Sequence, residues 1–74
     1  MSEAAQQDIE VSVNGAARRV LRGSSVADLI DALGFRPQQV AVERNKAIVR
    51  RPDRAGTLLQ DGDQLEVVTF FGGG

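Results

Sequence analysis

The 74-residue chain contains no cysteine, histidine, tryptophan or tyrosine. Without cysteine and histidine it has no disulfide, no thiol nucleophile, no imidazole for acid–base chemistry and none of the usual ligands for zinc, copper or haem. Nine basic residues against ten acidic ones give a formal net charge of −1, which argues against general nucleic-acid binding. We therefore expect neither nucleic-acid binding nor catalysis by such side chains.

Long hydrophobic runs are also missing. No apolar stretch approaches the roughly 18 residues of a membrane span, and the N-terminus lacks the basic and apolar regions of a signal peptide. We expect a soluble cytoplasmic protein without a membrane partner, monomeric when free. Residues 1–8 are polar and aperiodic and are predicted to form a disordered extension before a domain over residues 9–71 and a flexible glycine tail over residues 72–74.

The first half of the domain reads as a hairpin followed by a helix. Alternating apolar residues predict a strand over residues 9–13, Asn14-Gly15 predicts a tight turn, and residues 17–21 form the returning strand. A capping box then begins an amphipathic helix that is too short to be stable alone and must lie on a sheet. The capping residues are Ser25 and Asp28, the apolar stripe is Val26, Leu29, Ile30 and Leu33, and Gly34 ends the helix.

The second half predicts strands over residues 40–43, 47–49 and 64–70. With the hairpin and the helix, this order indicates an α+β fold with one amphipathic helix packed on a mixed sheet. Asp61 and Asp63 flank Gly62 just before the last strand. Such aspartates are typical of a tight turn and are interpreted as structural, not as a metal site or a catalytic pair.

Two arginine clusters allow two interpretations each, either a solvated face or a docking site for an acidic partner or a phosphate. We favour the solvated face, with the second cluster the better docking candidate and its Arg50 and Arg51 retained as a possible partner surface. No aromatic residues interleave them, which disfavours single-stranded nucleic acid. The clusters are Arg18, Arg19 and Arg22, and Arg50, Arg51 and Arg54.

The last strand carries a second possible partner surface. If Glu66 faces solvent, the strand alternation places Val68 and Phe70 on the same outward face, where exposed apolar side chains indicate a binding surface. The alternative is an irregularity in register that tucks Phe70 under the sheet.

Residues 72–74 are three consecutive glycines. Glycine has no Cβ, so such a tail can extend and thread a narrow channel, delivering the α-carboxylate of Gly74 into another protein's active site. Adenylation would turn that carboxylate into an electrophile for a sulfur or nitrogen nucleophile, which requires no side-chain catalyst on this chain. The alternative is an idle tail or a cloning scar.

A set of motifs together resembles the ThiS family, the sulfur carrier proteins of thiamine biosynthesis. The resemblance covers residues 9–74 and implies a ubiquitin-like β-grasp fold, with four to five strands and one helix. The motifs are Ile-x-Val-x-Val-Asn-Gly at residues 9–15, Ser-Val-x-x-Leu-Ile at residues 25–30, VAVERN at residues 40–45, Ile-Val-x-Arg at residues 48–51, DGD at residues 61–63 and FFGGG at residues 70–74.

The resemblance implies a carrier that is not itself an enzyme and binds no cofactor. An adenylyltransferase related to ubiquitin-activating enzymes would use ATP to adenylate Gly74. Sulfur from a cysteine desulfurase or another donor would then give a thiocarboxylate, and thiazole synthase would accept that sulfur. Gly73 and Gly74 match the functional diglycine, while Gly72 and Phe71 match the tail presented to partners.

The polar N-terminal extension and Phe71 depart from the family pattern, and other functions stay open. Phe71 stands where the family commonly has a smaller aliphatic residue. One alternative is a sulfur carrier for another pathway, leading to molybdopterin, cysteine or a secondary metabolite. The other is a ubiquitin-like protein modifier that would join Gly74 to a lysine of a target protein.

Overall fold

The computed structural model describes residues 7–70. Its strands are β1 (Asp8–Val13), β2 (Ala16–Leu21), β3 (Val40–Arg44), β4 (Ala47–Ile48) and β5 (Gln64–Thr69), with one helix, α1 (Val26–Ala32), and 3₁₀ turns at Pro37–Gln39 and Arg51–Asp53. The strands form one sheet in the order β2-β1-β5-β3-β4. Because β1 and β5 pair in parallel and the other neighbours antiparallel, the sheet is mixed, and the predicted α+β architecture is confirmed.

The first hairpin forms as predicted, and its first strand begins one residue before the predicted start. Asn14 and Gly15 have φ angles of 52° and 87°, and positive φ at both central residues is what a type I′ turn requires. Asp8 pairs with Leu21, so β1 starts one residue before the predicted domain boundary. Residues 1–6 of the predicted extension, Phe71 and the predicted tail, residues 72–74, lie outside the described residues.

The capping box of α1 is confirmed at both of its hydrogen bonds. The Asp28 N–H donates to Ser25 Oγ at 3.0 Å, and the Ser25 N–H donates to the Asp28 carboxylate at 2.9 Å. Gly34, with a φ of 88°, lies just beyond the helix, where a left-handed residue is needed. No helix between residues 7 and 70 is long and apolar enough to cross a membrane.

The hydrophobic core lies between α1 and one face of the sheet. Burial of each aliphatic side chain there stabilises the fold by about 1.5–3 kcal/mol relative to leaving it exposed. Leu59, from the loop before β5, also enters the core. The buried residues are Ile9, Val11, Val26, Leu29, Ile30, Val40, Val42, Val49, Leu59, Leu65 and Val67. Within residues 7–70, no helix or strand covers the opposite face of the sheet.

Candidate functional site

Strand β5 carries the chain toward the glycine segment through the middle of the sheet. It lies between β1 and β3, and the last described residue, Phe70, donates its N–H to the Gln39 carbonyl at 2.8 Å. The main chain is therefore hydrogen-bonded up to the base of the predicted tail. Phe71 and residues 72–74 themselves, including the predicted reactive Gly74, lie outside the described residues, so their roles stay predictions.

Asn14 reinforces β5 in a way that its turn motif does not reveal. The last β1–β5 pair is Val13 with Leu65, so β5 runs on beyond the end of β1. There the Asn14 side chain accepts a hydrogen bond from the Val67 N–H at 2.8 Å and donates one to the Val67 carbonyl at 3.1 Å. The Asn14 side chain thus extends the hydrogen bonding between β1 and β5 toward the C-terminal end of β5.

The outward orientation of Val68 and Phe70 is confirmed. Their side chains are 57% and 55% exposed, so the alternative that tucks Phe70 under the sheet is wrong. Ala41 lies directly opposite Val68, and Ile48 on β4 is 74% exposed. These side chains share the uncovered face of the sheet, which we call the outer apolar surface, and Ala41, Ile48 and Val68 line a shallow depression of about 440 Å³.

Two carboxylates lie in the same depression. Glu43 on β3 is directly opposite Glu66 on β5, and both line the depression beside Val68. Like charges at directly opposed strand positions destabilise a sheet. Lys46 lines the same depression, so the chain itself supplies a cation beside this pair, and what the surface offers a partner is mainly apolar.

The aspartates before β5 are structural, as predicted. Asp61 accepts a hydrogen bond from the Glu10 N–H at 2.9 Å, which ties the turn to β1. Asp63 is 6% exposed and accepts from the Gln60 N–H at 2.8 Å and from the Asn45 side chain at 3.0 Å, with Arg44 at 3.4 Å. Burial opposes ionisation of Asp63, but these hydrogen bonds and the Arg44 charge outweigh it and lower the pKa.

The interpretation of the second arginine cluster needs correction at Arg54. Arg50 and Arg51 are exposed, as expected for a possible partner surface, but Arg54 is only 5% exposed. Its guanidinium donates to the carbonyls of Pro37 and Val40, both at 2.8 Å. Burial and the nearby Arg51 charge lower the pKa of Arg54. Arg54 therefore ties the loop before β3 to the core and does not belong to a solvated face.

Apart from the opposed Glu43–Glu66 pair, the polar and acidic side chains of residues 7–70 have structural partners or lie apart from one another. Between residues 7 and 70, no group of three or more aspartate or glutamate side chains is placed to hold a metal ion. The polar side chains that are buried there, Ser25, Arg54 and Asp63, each serve a cap, a carbonyl pair or a turn. The features that remain as candidates for function are the outer apolar surface and the end of β5, from which the chain runs on toward the glycines.

Comparison with known proteins agrees with this arrangement. The sequence model of the ThiS family matches residues 11–74. A crystal structure of a thiamine biosynthesis protein (ThiS) from Geobacter metallireducens is similar, with a TM-score of 0.75 and 32% identity, covering 89% of this chain and 100% of that chain.

Two further relatives differ greatly in length. An uncharacterized protein, ycf40, of Pyropia yezoensis is 34% identical over 90% of this chain and 94% of its own length. A thiazole synthase of Magnetococcus marinus is 44% identical over 89% of this chain, but the chain spans only 20% of that protein's length. The match over nearly the whole domain settles family and fold together. The chain belongs to the ThiS family and has its ubiquitin-like β-grasp fold.

Proposed function

We propose that this chain is the sulfur carrier for thiazole formation in thiamine biosynthesis and that the α-carboxylate of Gly74 is its reactive group. The observation that carries the proposal is the combination of a family match that extends through Gly74 with a β5 whose main chain is hydrogen-bonded up to Phe70. A hydrogen-bonded strand gives the tail a fixed starting point on the domain, and glycines without Cβ atoms would make the tail slim enough to enter an active site.

The proposed chemistry has two steps at the same carboxyl group, the first at an oxygen and the second at the carbon. In the first, the Gly74 carboxylate attacks the α-phosphate of ATP on an adenylating enzyme, giving an acyl adenylate and pyrophosphate. In the second, a sulfide equivalent adds to the acyl carbon and AMP leaves, so that one carboxylate oxygen is replaced by sulfur. The thiocarboxylate then gives up its sulfur to thiazole synthase. No side chain of the carrier needs to titrate in either step.

The partner proposals rest on two observations. A relative that is 44% identical over most of this chain is a thiazole synthase, which supports a thiazole synthase as the sulfur acceptor. The outer apolar surface, with Val68 and Phe70 exposed next to the chain exit, supports docking of the adenylating enzyme there.

The test is intact-mass spectrometry of the protein after incubation with ATP, an adenylating enzyme of the ThiS pathway and sodium sulfide as the sulfur source. We expect the replacement of one oxygen by one sulfur, dependent on ATP, with the modification located on Gly74 by fragmentation. Sulfide replaces the natural donor so that the choice of desulfurase does not enter the result.

Two outcomes contradict the proposal. If the mass stays unchanged with an adenylating enzyme that loads a known ThiS protein in the same tube, this chain is not its substrate. If an amide bond to a lysine of another protein forms instead of the thiocarboxylate, the chain is a protein modifier.

A further inference from the structure

Strand β2 is an open edge of the sheet. It follows β1 at one end of the order β2-β1-β5-β3-β4, and among residues 7–70 no strand pairs with its other side. The opposite edge, β4, has only two residues, whereas β2 has six. A six-residue edge is long enough to template an added strand.

The main-chain groups that β2 leaves unpaired can be assigned from β1. The N–H groups of Ser12 and Asn14 donate to β5 or to the turn before it, so the odd-numbered residues of β1 face β2. The register then pairs the main chains of Ala16, Arg18 and Val20 with β1. Ala17 and Arg19 consequently direct both their N–H and C=O groups outward, away from the sheet.

A groove runs beside this edge, between β2 and α1. It has a volume of about 200 Å³, and its floor is apolar. Val20 contributes from the strand, and Leu29 and Ala32 contribute from the helix. The side chains of an added strand would alternate between this groove and the outer face of the sheet. The groove therefore selects aliphatic residues at every second position.

The two charged side chains of β2 itself, Arg18 and Arg19, are both positive. Arg18 lies opposite Val11 and has no acidic residue across the strand, while Arg19 lies opposite Glu10 on the outer face. Asp28 is the acidic residue of the groove, and its carboxylate already accepts the hydrogen bond from the Ser25 N–H. A second copy of β2 would place arginines against arginines, so self-pairing is electrostatically disfavoured.

We propose that the β2 edge is a docking site for an extended acidic segment of a partner protein, which adds as a sixth strand. Its main chain pairs with Ala17 and Arg19, its aliphatic residues enter the groove beside α1, and its acidic residues, which then lie on the outer face, meet Arg19. This site uses neither the glycine segment nor the outer apolar surface, so it stands independently of the sulfur-carrier proposal.

The experiment titrates the full chain, labelled with ¹⁵N, with a short synthetic peptide in which valine and glutamate alternate. We expect saturable shifts of the amide signals of Ala17, Arg19 and Leu21, and slower hydrogen exchange at Ala17 and Arg19. A control peptide with a central proline lacks the donor for the ladder and should not bind. Absence of saturable shifts, or shifts centred on Val68 and Phe70 instead, overturns the proposal.

Variants separate the contribution of main-chain hydrogen bonding to peptide binding from that of the arginine charges. Ala17→Pro removes one outward donor without touching the β1–β2 bonds and should abolish binding. Replacing Arg18 and Arg19 together by glutamate should lower affinity at least about tenfold, whereas Arg36→Glu, an exposed charge reversal outside the groove, should leave it within about twofold. Equal affinity for the double variant and the Arg36 control contradicts the proposal, and it does so even if the proline variant fails to fold.

The same type of spectrum distinguishes the proposed partner segment from two other possible occupants of the β2 edge. If removal of residues 1–6 is needed before the peptide binds, the chain's own N-terminal segment occupies the edge and the proposal is wrong. If the Ala17 and Arg19 signals shift with protein concentration alone, a second copy occupies it, and the proposal is equally wrong.

Discussion

The side-chain amide of Asn14 hydrogen-bonds to both main-chain groups of Val67, as another strand residue would. The Val67 N–H donates to Asn14 Oδ1 at 2.8 Å, and Asn14 Nδ2 donates to the Val67 carbonyl at 3.1 Å. The two residues are 53 positions apart in the chain. A hairpin turn at one end of the domain thereby fixes the part of β5 from which the chain runs toward Gly74.

Asn14→Gly tests how much this pairing stabilises the fold. Glycine keeps the positive φ that the turn requires but removes both hydrogen bonds to Val67. We expect the free energy of unfolding to fall by about 1–3 kcal/mol, because the Val67 groups lose their partners. Denaturant titration followed by circular dichroism measures this change.

Lys46→Gly provides the matched control for a glycine at positive φ. Lys46 is exposed with a φ of 72°, so glycine there relieves strain and should leave stability unchanged or slightly raised. If Asn14→Gly is no more destabilising than Lys46→Gly, the pairing with Val67 contributes nothing to stability.

Asp63 should make the fold sensitive to acid. Its pKa is lowered in the folded state, so its stabilising contribution is complete above the unfolded value of about 4 and is lost as pH falls through the lower folded pKa. We expect Asp63→Asn to destabilise the protein at neutral pH and the difference from the wild type to shrink below about pH 4. Unfolding free energies measured across this range check it. If the difference in unfolding free energy between the wild type and Asp63→Asn stays constant with pH, ionisation of Asp63 does not cause the acid sensitivity.

Arg54 should contribute to stability through its hydrogen bonds and not through its charge. Arg54→Met keeps much of the side-chain volume but leaves the carbonyls of Pro37 and Val40 without their donor. We expect a loss of about 2–4 kcal/mol in unfolding free energy, whereas Arg50→Met, at an exposed position, should stay within about 0.5 kcal/mol. Similar losses for the two variants would show that Arg54 has no special structural role.

Features encoded by neighbouring residues were predictable. The Ser25–Asp28 capping box and the Asn14-Gly15 turn depend on residue types a few positions apart, and both form as expected. The alternation along β5 likewise placed Leu65 and Val67 inside and Val68 outside. Local hydrogen bonds and strand periodicity are sufficient for such features because they need no knowledge of the tertiary fold.

Features that join distant segments were not predictable. Arg54 stands in a run of charged residues, and nothing in its neighbourhood distinguishes it from the exposed Arg50 and Arg51. Its burial follows from carbonyls 14 and 17 positions away that the fold brings to it. The same holds for the Glu43–Glu66 opposition, since strand register arises only when β3 and β5 pair.

Phe70→Asp tests the outer apolar surface as the docking site of the adenylating enzyme. Phe70 is 55% exposed, so the change should lower stability little but place a charge in the proposed contact. We expect the affinity for the adenylating enzyme to fall at least about tenfold in a titration by calorimetry. Leu58→Asp is the control, because Leu58 is 50% exposed but pairs with Ser25 at the start of α1 and does not line the depression. Equal affinities of both variants would exclude this docking face.

Deletion of Gly74 tests the placement of the reactive carboxylate. The shortened chain still ends in a glycine carboxylate, but that group lies about 3.3–3.6 Å short of its former reach along an extended tail. We expect sulfur loading to be lost in the mass assay while the thermal unfolding curve stays unchanged, because the buried core residues all precede position 70. Adding one alanine after Gly74 moves the carboxylate the other way and should abolish loading as well. If either variant is loaded with sulfur as well as the original chain, the length of the tail does not determine which carboxylate is loaded. If the deletion unfolds the domain, the glycine segment contributes to the fold.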